Sequence, residues 1–295
     1  MPPGKGGYKQ INKALNICAF EDYLDGQQAT LPPIQDVEQI SPRSERLIVD
    51  TGQGIPDWAD LIANTLLEEN FSLSHVLLTH WHGDHTGGVP QLLKLYPDLD
   101  SRIYKHTPSK GQQPIVDGQV FKVEGASIRA VHSPGHSTDH MCFILEEEGA
   151  MFTGDNVLGH GTAAVEHLST WMKALETMKS HNCQKGYPAH GIVIQDLQSR
   201  ITGQLAQKRR REGQVLKALQ QSKMKERTAS GGRGKGSLTV KELVTAMHGD
   251  NLDDSVRELA LEPFTEEVLR KLAEDGNVAF EIRGGIKKWF SIADV

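Results

Sequence analysis

The segment from residue 79 to residue 88, Thr-His-Trp-His-Gly-Asp-His-Thr-Gly-Gly, places four side chains that bind metal ions within six positions. The apolar run 76–78 precedes it, and an amphipathic helical pattern follows its glycines. A strand that ends in such a loop directs imidazoles and a carboxylate toward one point at the edge of a sheet. This donor set suits Zn, Mn or Fe better than Ca. The alternative, a solvated His-rich loop without a metal, leaves the further histidine and carboxylate segments of the chain unexplained.

Three later segments each join a strand pattern to a glycine-containing turn: 133–140 (Ser-Pro-Gly-His-Ser-Thr-Asp-His), 151–156 (Met-Phe-Thr-Gly-Asp-Asn) and 186–191 (Gly-Tyr-Pro-Ala-His-Gly). The ordered series H-x-H-x-D-H, P-G-H, T-G-D and P-x-H-G resembles the metallo-β-lactamase superfamily over roughly residues 47–200.

The resemblance implies two divalent metal ions, zinc with manganese as the alternative, and an open position for a shared water or hydroxide. It also implies that Asp84 is both a metal ligand and a catalytic residue. The implied ligands are three residues for the first ion, three for the second and a carboxylate that bridges both: His80, His82 and His136; Asp84, His85 and His190; Asp155.

Three further residues are candidates for supporting the ligands. Asp50 ends the strand pattern 47–50; it either orients a ligand imidazole or caps the following turn, and both interpretations stay open. His140 precedes an apolar strand pattern, which favours a hydrogen-bonded core or supporting histidine. His160 follows Asp155 by a few positions, so it lines the mouth of the site or caps a helix near Thr162.

Strand and helix patterns alternate across this region, with helices predicted at 58–69, 90–96 and 166–180. The resemblance makes the expected fold an α/β fold, the metallo-β-lactamase αβ/βα sandwich, with the metals at one edge of two packed sheets. In that family a pair of strands usually precedes the strand that ends in Asp-Thr-Gly. Here residues 40–46 run almost directly into that strand, so either the first sheet is truncated or the lead-in substitutes for the pair.

We divide the chain into an N-terminal lead-in (1–46), a catalytic domain (47–200), a basic helix with a Gly-rich linker (201–237) and a C-terminal module (238–295). The last part predicts a helix from residue 238 capped by Ser237, a helix at 263–275 capped by Thr265, and a hairpin at 278–282 and 287–292. Helices followed by a two-stranded wing resemble a small winged-helix module.

Composition adds modest constraints. A net charge of −6 gives no overall preference for nucleic acid or anionic membranes. Cys18, Cys142 and Cys183 form no pair motif, which favours reduced cysteines in an intracellular protein. The N-terminus has no apolar signal region and no segment predicts a membrane span, so we expect a cytoplasmic protein without a membrane partner.

The basic run 208–211, Lys-Arg-Arg-Arg, is open to three interpretations. It is a solvated helix face, a collar that receives an acidic carrier protein, or a nucleic-acid contact.

A more detailed resemblance bears on function. Segments 117–121 and 153–162 and the C-terminal module resemble the lactamase-β-2-like branch, and segment 8–24 is similar to fungal thioesterases. Those enzymes release an aromatic polyketide, such as atrochrysone carboxylate, from the acyl carrier protein of a non-reducing polyketide synthase. The resemblance thus implies thioester hydrolysis by a dinuclear-metal hydroxide in secondary metabolism. The same branch implies an alternative, a single-strand-specific endoribonuclease, and only that alternative has a nucleic-acid partner. A non-catalytic module with a decayed site is disfavoured because all seven ligand positions are filled.

Overall fold

The computed structural model describes residues 45–292. These residues fall into two compact units, 45–205 and 206–292. The predicted lead-in and Cys18 lie outside the described residues, apart from the start of the first strand. The four-part division of the chain stays a prediction.

The first sheet contains four parallel strands in the order β1 (Glu45–Val49), β2 (Ser72–Leu77), β3 (Ile103–Lys105) and β4 (Gln113–Pro114). Helix α1 (Pro56–Glu68) connects β1 to β2, and α2 (Gly83–Thr86) and α3 (Val89–Leu95) lie between β2 and β3. Among residues 45–292, β1 is an edge strand. The strand pair that the family leads us to expect before β1 would lie outside this range, so truncation of the sheet stays a prediction.

The second sheet has five strands in the order β5 (Val120–Val123), β6 (Ala126–His132), β7 (Met141–Leu145), β8 (Ala150–Gly154) and β9 (Lys185–Pro188). The first four are antiparallel, and β9 joins β8 in parallel because helix α4 (Leu168–Ser180) makes the crossover.

One apolar cluster joins the two sheets. Leu77 of the first sheet packs with Met141 and Phe143 of the second, and all three are fully buried. On α4, Trp171, Met172, Leu175 and Met178 face the core, as their helical spacing predicts. Two packed sheets flanked by helices confirm the predicted α/β architecture.

The longest helix of the described chain is α5 (Leu197–Ala229). Its first residues belong to the first unit, and the rest, from residue 206, belong to the second. It extends beyond the predicted 201–225 at both ends. It is followed by α6 (Val240–His248), α7 (Asp254–Val256), a π-helical turn (Arg257–Leu261) and α8 (Glu262–Glu274). The predicted hairpin is confirmed as β10 (Val278–Arg283) and β11 (Ile286–Ser291), which are antiparallel.

Both predicted helix caps in this unit are wrong. Thr239, not Ser237, caps α6, because Thr239 and Glu242 form a reciprocal capping box while the Ser237 hydroxyl donates to Glu281. Thr265 caps nothing; it is buried inside α8, since α7 and the π-helical turn run into α8 without a break.

The basic run also differs from the prediction. The Lys208 side chain is buried, and the Arg211 guanidinium lies 5.8 Å from the centre of the Phe264 ring. Within the run, only Arg209 and Arg210 are exposed. The run is therefore not one continuous basic face. No helix within residues 45–292 is long and apolar enough to cross a membrane.

Candidate metal centre

The ends of strands from both sheets bring the seven predicted ligands to one edge. His80 and His82 follow β2, and Asp84 and His85 lie in the short helix α2. The other three follow strands of the second sheet: His136 after β6, Asp155 after β8 and His190 after β9.

Three imidazoles form the first cluster. His80 Nε2 lies 2.8 Å from His82 Nδ1, and His136 Nε2 lies 3.2 Å and 3.0 Å from these two atoms. Asp155 adds a fourth donor, since its Oδ2 lies 3.5 Å from His136 Nε2. These four residues form one group able to hold a metal ion.

The second cluster uses the other oxygen of Asp155. Oδ1 lies 3.5 Å from His85 Nε2 and 3.4 Å from His190 Nε2. Asp84 Oδ2 completes the group at 3.4 Å from His85 Nε2 and 3.2 Å from His190 Nε2. Asp155 belongs to both groups, which is the position of a bridging carboxylate.

The distances fit small divalent cations. Tetrahedral ligands at roughly 2.0–2.1 Å from zinc lie roughly 3.3–3.4 Å from one another; the second cluster has separations of 3.2–3.5 Å, and the first has separations of 2.8–3.5 Å. His85 Nε2 and Asp155 Oδ1 are buried and have no hydrogen-bond partner. Unpaired buried polar atoms are costly, and a cation between them would satisfy both. The donor set therefore suits two metal ions.

The electrostatics of the two clusters differ. Burial, together with the neighbouring imidazoles, holds the pKa of His80 well below its usual range, and burial likewise lowers the pKa of His82 and His136. The neutral imidazole is the form that binds metal ions. Around His85, burial opposes a positive charge, but the carboxylates of Asp155, Asp50 and Asp84 outweigh it and raise the pKa to about 12. The second cluster thus favours a positive charge at its centre.

Asp50 lies directly behind the second cluster. Its Oδ2 is 2.7 Å from His85 Nδ1, and its two oxygens accept from the backbone N–H and the hydroxyl of Thr79 at 2.7 Å and 2.8 Å. The Nδ1 proton of His85 is thereby engaged, which leaves Nε2 free to face the cluster. Of the two interpretations of Asp50, this contact geometry favours orientation of a ligand over capping of a turn.

His140 supports Asp155 through the backbone. This fully buried imidazole accepts the Asp155 N–H at Nε2 (3.0 Å), and its Nδ1 lies 3.0 Å from the Ser133 hydroxyl. Burial holds its pKa well below the usual value, so it is neutral. Both ring nitrogens are engaged, and His140 is not in either ligand group.

Two glycines allow the ligand loops to approach their neighbours. A Cβ on Gly135 would lie 2.3 Å from the Trp171 Cα, and one on Gly154 would lie 2.5 Å from His140 Nε2. Both glycines also have positive φ, 139° and 50°, so any other residue would be strained at these positions. The P-G-H and T-G-D motifs thus use glycine to set the positions of His136 and Asp155.

His160 is exposed and lies beside Gly191, one residue after His190. Its position at the rim agrees with the mouth of the site rather than with a helix cap, since the next described helix begins at Leu168.

Several supporting residues were missed by the sequence reasoning. Thr79 links Asp50 to His80, whose Nδ1 lies 2.9 Å from the Thr79 hydroxyl. Asn156, next to Asp155, donates to the Ser133 carbonyl. The buried ion pair Lys105–Asp139, at 2.9 Å, ties β3 to the loop that carries His136. Adjacency to a ligand was a usable signal for Thr79 and Asn156, but no local pattern identifies Lys105.

A cavity of about 340 Å³ reaches the second cluster from between the sheets. Asp84, His85 and His190 line one part of it, and Trp58, Phe152 and Tyr187 line another. It also reaches Asp50, Thr79 and Gly154, the residues that lie behind the ligands.

Residues 40–190 match the family profile of the metallo-β-lactamase superfamily. The chain belongs to this superfamily. Two solved structures share its fold: a metallo-β-lactamase family protein from Thermus thermophilus, 21% identical, with a TM-score of 0.58 over 82% of this chain and 89% of that one; and a β-lactamase domain protein from Burkholderia ambifaria, 17% identical, with a TM-score of 0.63 over 82% and 81%.

Other superfamily members are much closer in sequence. An atrochrysone carboxyl ACP thioesterase of Cryptosporiopsis sp. is 77% identical over 99% of this chain and 98% of its own length. A thioesterase of the same name from Aspergillus novofumigatus is 64% identical over 97% and 96%.

The alignment with the Cryptosporiopsis protein spans 317 positions, whereas this chain has 295 residues. That relative therefore contains residues that have no counterpart here. The sequence predicts that this chain is shortened before its first strand, where there is too little chain for the expected strand pair. Such a shortening would produce this difference in length.

Proposed function

We propose that this protein is an acyl carrier protein thioesterase that releases an atrochrysone-type carboxylic acid in fungal polyketide biosynthesis. The observation that carries this proposal is the 77% identity to the Cryptosporiopsis thioesterase over nearly the full length of both chains. The two His/Asp groups support a metal-dependent hydrolase.

We assign the first ion to His80, His82 and His136, the second to Asp84, His85 and His190, and the bridge to Asp155. Zinc is the ion that the imidazole-rich donor set favours, with manganese as the alternative. Bound there, two such ions would supply an activated water and polarise a carbonyl oxygen.

The residues of the chain prepare the centre for this chemistry. The neighbouring imidazoles of His190 and His85 hold the pKa of Asp84 well below its usual range, so Asp84 is a carboxylate at neutral pH. Asp50 keeps the His85 Nδ1 proton away from the cluster, and His140 holds the backbone N–H of Asp155. A cation bound here would displace the proton that the surrounding carboxylates otherwise hold on His85.

A thioester suits this centre. Hydrolysis joins a water oxygen to the carbonyl carbon, breaks the carbon–sulfur bond and expels a thiolate. Because the pKa of an ordinary thiol is roughly 8.5, the leaving group requires no strong acid. We infer that the partner is the acyl carrier domain of a non-reducing polyketide synthase, and that the C-terminal helices and hairpin are a winged-helix-like module.

The test uses the zinc-loaded full chain with an aromatic acyl thioester on a carrier protein, and with single-stranded RNA. Release of the free acid, its loss in Asp84→Ala, and intact RNA are expected. Elemental analysis should give two ions per chain. Efficient RNA cleavage with an untouched thioester would replace this proposal by the endoribonuclease alternative.

A further inference from the structure

Trp81 occupies an unusual position beside the metal centre. It lies between the ligands His80 and His82, yet 54% of its surface is exposed, whereas His80 is fully buried. Its ring packs edge-on against the His82 imidazole, with ring centres 4.4 Å apart and planes at 67°. A large aromatic side chain therefore lies partly in solvent next to a ligand.

The open side of the centre can be identified from the ligands themselves. His80 and His85 are buried, whereas His82 is half-buried and the His190 side chain is 41% exposed. Trp81 touches His82 on this side. Ile192 and Val193, both exposed, come directly after the His190 turn. Exposed apolar side chains thus come directly after a ligand in both of these loops.

The cavity between the sheets shares Asp84 and His190 with this open side of the centre but extends away from Trp81. It reaches residues behind the imidazoles, such as Asp50 and Thr79, and its lining does not include Trp81. A thioester that is attached to a folded carrier protein has to approach from solvent, past the exposed ligands. The surface of Trp81 is available along that approach.

We propose that Trp81 is a specificity-determining residue that stacks against the aromatic rings of the acyl group while the thioester carbonyl lies at the metal centre. This inference rests on the proposed thioesterase function. The flat indole face gives an aromatic acyl group a matching surface, whereas a flexible aliphatic chain gains much less from it. Exposed single apolar residues are common on proteins; the contact with His82 is what gives this one a place in substrate binding.

The experiment compares 2-naphthoyl and octanoyl thioesters on the same carrier protein. Trp81→Leu should lower kcat/KM for the naphthoyl substrate roughly 3- to 10-fold, the effect of one aromatic pair, and leave the octanoyl substrate unchanged. The loss should lie mainly in KM, and Trp81→Phe should restore most of it. Leu67→Ala, a change at another exposed apolar residue (80% exposed, on α1), should alter neither substrate.

Two measurements separate this role from others. Elemental analysis of Trp81→Leu should still give the wild-type metal content; a lower content would mean that Trp81 acts through His80 and His82, and would overturn the proposal. Phe152→Leu tests the cavity. If Phe152→Leu changes the ratio of kcat/KM between the naphthoyl and octanoyl substrates and Trp81→Leu does not, the acyl group enters the cavity and the proposal is wrong.

If Trp81→Leu lowers kcat/KM equally for both substrates, the stacking proposal is also wrong, because Trp81 would then contact the shared phosphopantetheine arm or the carrier. A failure of the proposed thioesterase function gives a different result. The wild-type protein would then hydrolyse neither thioester, and Trp81 would have no acyl group to bind.

Discussion

Replacing Asp50 by asparagine should weaken metal binding at the second cluster while leaving the fold intact. Asp50 has φ 62°, a left-handed conformation that Asn adopts as readily as Asp, so the backbone should not change. The new amide must place its NH2 group against one of two neighbours. The Thr79 N–H is an obligatory donor, so the NH2 has to face His85 Nδ1 instead.

That orientation reverses the tautomer of His85. With a donor opposite Nδ1, the ring proton moves to Nε2, the atom that lies 3.4 Å from Asp84 Oδ2 and 3.5 Å from Asp155 Oδ1 in the cluster. A protonated nitrogen has no lone pair for a metal ion. Loss of such an outer hydrogen bond costs roughly 10- to 100-fold in metal affinity, which is about 1.4–2.7 kcal/mol.

The assay is zinc titration of the metal-free protein against a chromophoric chelator, which resolves a tight and a weakened step. The first cluster should change less, because Asp50 reaches it only through the hydroxyl of Thr79. Asp60→Asn, on the exposed face of α1, is the matched control. Two wild-type affinities in Asp50→Asn would refute the tautomer argument.

Three further outcomes are expected. Asp84→Ala and His85→Ala should each abolish turnover, with a loss well beyond roughly 100-fold and unchanged circular dichroism; near-normal activity at saturating metal would rule out the assigned site. Arg209→Gln with Arg210→Gln should raise KM for a carrier-bound thioester at low salt and leave a small soluble thioester unaffected, since charge steering is screened over about 8–10 Å at physiological salt; equal effects on both substrates would remove the docking role. Burial raises the pKa of the Cys142 thiol to about 12, so iodoacetamide at pH 8 should modify it only after denaturation, and mass spectrometry of the native protein showing rapid labelling there would contradict the structure.

Much of the site was predictable because its motifs are local. Each ligand follows an apolar strand pattern and lies in a glycine-containing turn, and strand ends on one edge of a sheet lie close together. The two-sheet architecture follows from the same alternation of strands and helices, together with the family resemblance. The terminal hairpin was predictable too, since the Arg-Gly-Gly turn at 283–285 separates two strand patterns. The cap of α6 is a local feature as well, because Glu242 three residues after Thr239 completes a capping box that Ser237 lacks.

Other features depended on contacts between distant segments. Lys208 belongs to a basic run in the sequence, but its side chain is buried in the structure, and this burial lowers its pKa.

The sequence by itself determined which atoms could bind metal, because donor chemistry belongs to the side chain and the strand-turn motifs set where each donor lies. Only the tertiary structure decided how those donors are held. The Asp50 carboxylate reaches His85 across 35 positions, and Lys105 reaches Asp139 across 34. No sequence pattern identifies such pairs, since the contact between them depends on how the two sheets pack.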